Sequence, residues 1–153
     1  MKKLFVLLMC LLIPVTVWAA GSCTSAQKII TEAGITWYRI VTMNWVSSAG
    51  GAVSSVGAVP NVSGIIAEVH LIPDSNASLA PSNLYDVTIL DSEGTDVLFG
   101  TGANMSNSTT ATTNYIVPRN PSGGNPNRNN TTLTPSITNA GSGKKGTIKI
   151  FLR

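Results

Sequence analysis

From Ile35 onward the apolar residues recur in short runs that alternate with polar ones, the period of a β-strand and not of a helix. Ile35 to Val46 (ITWYRIVTMNWV) is dense in β-branched and aromatic residues, which pack well on a pleated, half-buried surface. Ser47-Ser48-Ala49-Gly50-Gly51 ends it. Val62 to Ile72 (VSGIIAEVHLI) predicts a second strand, closed by Pro73. Ile65, Ala67, Val69 and Leu71 fall on one face, and Ile66, Glu68, His70 and Ile72 on the other. The wholly apolar set is expected to face the core. Tyr85–Leu90 and Asp96–Phe99 flank Asp91-Ser92-Glu93-Gly94-Thr95, which reads as a β-hairpin. A shorter strand is expected over Asn114–Val117. Thr131–Thr138 and Gly146–Leu152 flank a Gly-rich turn, Asn139–Lys145, and predict another hairpin. In its second strand Ile148, Ile150 and Leu152 alternate with Thr147, Lys149 and Phe151, so the three aliphatics are expected to be buried.

Strands of this kind, joined by Gly-, Ser- and Asn-rich turns, define an all-β class. The expected architecture over residues 35–153 is an antiparallel β-sandwich, jelly-roll or immunoglobulin-like, of about six to eight short strands. Thr101 to Asn130 is rich in Asn, Ser, Thr, Gly and Pro, and predicts two long surface loops around the short Tyr115 strand. Loops at one end of a sandwich are a common place for binding. Residues 20–34 form a leader. Within it Ala26–Ala33, ended by Gly34, has some helical character, so a helical turn and a flexible leader both fit.

The first residues read as an address. Met1-Lys2-Lys3 is a positive n-region, Leu4–Trp18 is uncharged and apolar, and Val17-Trp18-Ala19 suits a signal-peptidase site. The run is shorter than the ~20 residues that span a bilayer. A cleaved signal peptide over residues 1–19 implies export, with the protein periplasmic, extracellular or at the cell surface. Cys23 admits a second export reading: Ala20-Gly21-Ser22-Cys23 partly matches a lipobox, and lipidation there would anchor the chain to a membrane. Cys10 leaves with the signal, so Cys23 has no internal disulfide partner, and an intermolecular bridge is the other option.

Charge and composition narrow the chemistry. Of 153 residues 11% are charged and 43% hydrophobic, too apolar for a disordered chain. Without Lys2 and Lys3, eight bases face seven acids, a balance that calls for neither nucleic acid nor an anionic surface. Every acid lies between Glu32 and Asp96, and Arg119, Arg128, Lys144, Lys145, Lys149 and Arg153 follow with none among them. Scattered solubilising charges account for this better than a nucleic-acid platform, because interleaved aromatics are missing. Asp91, Glu93 and Asp96 offer oxygens within six residues but lack the EF-hand spacing, so a solvated turn is the simpler reading. His70 is the lone His and is expected to be structural or at the surface. There is no Gly-x-Ser-x-Gly elbow and no phosphate-binding Gly-rich loop. No catalytic residue, cofactor or metal site is therefore expected.

Tyr85–Leu98 (YDVTILDSEGTDVL), followed by Gly100-Thr101-Gly102-Ala103-Asn104, resembles a family of small proteins from the virion modules of tailed phages. Trp45–Val53 (WVSSAGGAV), Ile137-Thr138-Asn139-Ala140-Gly141 and Lys145–Ile150 (KGTIKI) agree, so the resemblance covers about Ile35–Arg153. It implies a β-domain serving as a structural or accessory virion component, a capsid decoration or tail-associated piece, with protein partners and self-assembly. A secretory leader is atypical there, and a virion-derived exported copy accommodates both features. The alternative is an exported bacterial surface or periplasmic module that binds glycan or protein through Thr101–Asn130, or a filament subunit. Against the filament variant, chaperone-assembled pilins usually carry a disulfide pair and a penultimate aromatic, whereas this chain ends Phe151-Leu152-Arg153.

Overall fold

The computed structural model describes residues 20–32, 35–54, 56–107, 114–119 and 127–153. The described elements are all strands: β1 (Ser22–Glu32), β2 (Ile35–Val46), β3 (Val59–Pro73), β4 (Asp86–Leu90), β5 (Asn114–Ile116), β6 (Asn127–Thr138) and β7 (Lys145–Leu152). All pairings are antiparallel, in the order β1-β2-β7-β3-β6-β4, with β5 also on β3. The all-β antiparallel class follows from the alternation, but the hydrogen bonds link the strands into one continuous sheet and not into two separate ones.

That sheet curls. Four strand intervals separate β2 from β4, about 19 Å if the sheet were flat. Yet the rings of Trp45 on β2 and Tyr85 at the entry to β4 lie 6.2 Å apart. The bend comes from β3 and β6, each of which divides its length between two partners. Val59–Ile65 pair with β6 and Ile66–Pro73 with β7, while β6 goes on to pair with β4 through Thr134–Thr138. One core results. Val41, Met43, Trp45, Val69, Leu71, Ile148, Ile150 and Leu152 line it from one half of the curl, and Val87, Ile89, Leu133 and Ile137 from the other.

Several expectations are corrected by this topology. The leader is neither helical nor flexible over Ser22–Glu32 but a strand on β2. A helix this short is marginal alone, whereas pairing with β2 satisfies the backbone along its whole length. The two hairpins do not form. Beyond the Asp91–Thr95 turn a single bridge, Leu90↔Asp96, is made, and the ladder partner of β4 is β6. Likewise β6 and β7 are not neighbours, because β3 lies between them. The 139–145 segment instead packs against the end of β2: Ser47 N–H donates to Lys144 O (2.8 Å), and Ala140 N–H donates to Gly51 O (3.0 Å). Asn127–Asn130, expected in a loop, opens β6.

Burial along β3 departs from strict alternation at one point. Val69 and Leu71 are inside as expected, but Ile66, and not Ile65 or Ala67, is the fully buried residue before them. The register against β7 shifts between Ile66 and Glu68, and this bulge moves the preceding residues to the opposite face. In β7 the expected trio, Ile148, Ile150 and Leu152, is buried to 0%, 0% and 1% exposure.

Candidate functional site

The acidic turn is built for structure. Asp91 is buried, and its Oδ1 accepts from the N–H groups of Glu93 (3.0 Å) and Thr95 (2.8 Å), an Asx turn. Its Oδ2 lies 3.4 Å from Arg128 Nη2. Asp96 Oδ1 accepts from Ile89 N–H (3.1 Å) and Leu98 N–H (3.0 Å), and its Oδ2 from Gly100 N–H (2.9 Å). Carboxylates engaged this way hold a turn in place and leave little coordination capacity for a cation. Among the described residues no group of three or more His, Cys, Asp or Glu is placed to hold a metal ion.

The same turn closes one end of the sheet. Outside β4, Val87 N–H donates to Gly102 O (2.8 Å), Val97 N–H to Ile89 O (2.8 Å) and Met105 N–H to Tyr85 O (2.7 Å). With Asp96 on Ile89 N–H, residues 96–105 take up the outer edge of β4. A covered edge cannot template pairing with another chain.

The opposite end differs. Strand β1 pairs with β2 from Ser22↔Val46 to Glu32↔Ile35, and among the described residues its backbone is paired with no other element. Past Arg39↔Leu152 the β1–β2 hairpin runs on beyond β7 as an arm. Two side-chain bonds at the base of the arm tie β1 and β2 to β3: Gln27 Nε2 donates to Pro60 O (2.8 Å) and Arg39 Nη1 to Asn61 O (3.1 Å). The arm carries Ile29, Ile30 and Tyr38, which are 53%, 40% and 46% exposed. These are half of the large hydrophobic residues exposed in the described chain, and all three sit on this one hairpin.

Cys23 lies opposite Trp45 on the inward face of β1, packed against the core and close to Gly57. Its burial pushes the thiol above the ordinary value of 9.0 and disfavours the reactive thiolate. His70 lies on the outward face beside Phe151 (ring centroids 4.4 Å), with Nε2 3.0 Å from Glu68 Oε1. The basic residues are dispersed: Arg128 meets Asp91, Lys144 Nζ donates to Ser78 O (2.9 Å), and Lys149 stands opposite His70 on the outward face. A groove of about 270 Å³ crosses that face near Thr24, Asn44, Ile72, Asp74 and Lys145. Of the Thr101–Asn130 loops, residues 108–113 and 120–126 lie outside the described part, as does the proposed signal peptide.

The edge is not legible in the sequence, where residues 20–34 read as a leader. A strand signal is present in Thr31, Ile29 and Ile30, but only the pairing with β2 shows that the strand ends the sheet. No known protein family, curated protein or solved structure matches the chain.

Proposed function

We propose that the protein is a non-enzymatic structural or accessory component whose work is assembly, a virion part such as a capsid decoration or tail-associated piece, or an exported copy derived from one. The observation that carries this reading is the contrast between the two ends of the sheet. One edge is closed by the chain's own 96–105 segment, and the other, β1, pairs its backbone only with β2 among the described residues and carries exposed apolar side chains toward its outer end. Such an edge is a site for strand addition, with main-chain hydrogen bonds for affinity and side chains for selectivity. Asp91 and Asp96, by contrast, are engaged in holding turns.

A second reading, an exported bacterial surface or periplasmic module with protein or glycan partners, is favoured by the Met1–Ala19 pattern. Intact and N-terminal mass spectrometry on cell fractions and on any density-gradient particle peak separates the two. A chain that bands with particles supports the virion role. A soluble or surface-held chain beginning near Ala20, and absent from particles, favours the exported module. Diacylated Cys23 would make it a lipoprotein.

A further inference from the structure

Strand β1 runs over eleven residues, and the sequence of its outer end, Lys28–Glu32, says which partner that part of the edge fits. It carries one cation, Lys28, one anion, Glu32, and neighbouring isoleucines at 29 and 30. We infer that β1 pairs antiparallel with β1 of a second copy of this chain, about a two-fold axis at Ile30; this rests on the assembly reading above and names the partner.

Three features select that arrangement. First, a two-fold axis at Ile30 sets Lys28 of each copy opposite Glu32 of the other, two symmetry-related pairs of opposite charge directly across the strands. Moving the axis to Lys28 would face the two lysines with each other, and moving it to Gln27 would leave Lys28 opposite Ala26. Second, Ile30 already pairs with Tyr38 across the arm, so joining two copies builds an apolar row of Tyr38, Ile30, Ile30 and Tyr38 on one face. That row brings the two Ile30 side chains, each now 40% exposed, against one another. Third, the irregularity between Ile30 and Thr31 falls on the other strand. Ile30 pairs with Tyr38 and Thr31 with Thr36, so the extra residue is Trp37 of β2, and β1 keeps an even spacing for a new ladder. A lysine in mid-edge ordinarily repels a neighbouring strand, and here the second copy supplies its counter-charge.

The test uses the protein isolated from the cells that make it, its N-terminus read by mass spectrometry, in sedimentation equilibrium at low salt. The parent is expected to dimerise. Lys28→Glu and Glu32→Lys should each raise the dimer dissociation constant roughly tenfold or more, since either places like charges across the axis. The double exchange, Lys28→Glu with Glu32→Lys, should restore it. Circular dichroism verifies that each variant is folded. Independently, Ile30→Cys should form a disulfide-linked dimer under a mild oxidant, and Thr24→Cys, on the same face but six residues from the axis, should not. A parent that stays monomeric, or a dimer indifferent to these exchanges, overturns the pairing. A monomer that still bands with particles removes this inference alone, whereas a β1-paired dimer found in no particle removes the virion role alone.

Discussion

At Gly146 the missing side chain makes room for an aromatic ring. A Cβ there would stand 2.6 Å from Trp45 Cζ2 and 3.0 Å from Ile72 O, and Trp45 is the residue directly across the ladder. The indole covers the bare backbone, an arrangement known to support glycine within sheets. Gly146→Val is expected to destabilise the fold by about 1–3 kcal/mol through overpacking, read as a lowered urea midpoint with altered Trp45 fluorescence. Cys23 gives a pH signature of its own. Its thiol ionises at higher pH in the folded chain than in the unfolded one, so the folded state binds the proton more tightly. The contribution is complete below pH 9.0 and is lost as pH rises through the folded value. Relative to Cys23→Ala, the parent should therefore lose stability between neutral and strongly alkaline pH, measured as the difference in urea midpoint. An identical pH profile for the two proteins would mean that the thiol is not buried as described.

At the scale of elements, the two ends of the chain show what alternation can and cannot reveal. Ile148, Ile150 and Leu152 are legible because a half-buried strand imprints its period directly on the sequence, and all three are inside. Ile150→Asp would put an unpaired carboxylate among them and is expected to cost more than about 4 kcal/mol, enough that a parent-like melting curve would refute the placement. Pairing is another matter. A Gly-rich turn between two strands looks alike whether the strands join each other or step over a third, so the 139–145 segment reads as a hairpin while β3 separates its flanks. Nor does periodicity show that Asp96 will accept three backbone N–H groups and stop a strand that the apolar pattern of Val97 and Leu98, both fully buried, would continue. The Asp91 turn that precedes it is the anchor of this cap. Asp91→Ala removes the acceptor of Glu93 and Thr95 N–H and leaves Arg128 without that carboxylate. A loss of about 2–4 kcal/mol is expected, with faster amide exchange at Val87 and Val97, whose bonds the cap maintains.

For the whole molecule, the order of the strands dictates how the chain must fold. Val46 pairs with Lys145, Val59 with Leu133 and Asp86 with Thr138, so the ladders that close the core join residues far apart in sequence. Apart from β1 with β2, none of the described ladders links strands that are consecutive in the chain. Loop closure must therefore precede most of the favourable contacts, which places the chain among slow folders, on the order of milliseconds to seconds. The arm is the exception: β1 and β2 are sequence neighbours, and most of β1 stays exposed, so their hairpin can form early without the core. Trp45 reports on the slow step, since its ring reaches Tyr85 only when the sheet has curled. Stopped-flow refolding should accordingly show a main Trp45 phase slower than about a millisecond. It should be accelerated little by Ile30→Ala, which touches only the arm, and slowed by Ile137→Val, which weakens the closure between β6 and the Val53 bridge. Microsecond acquisition of the Trp45 signal would mean that β2 and β4 meet before β7 and β3 join them, contrary to a core closed by its long-range ladders.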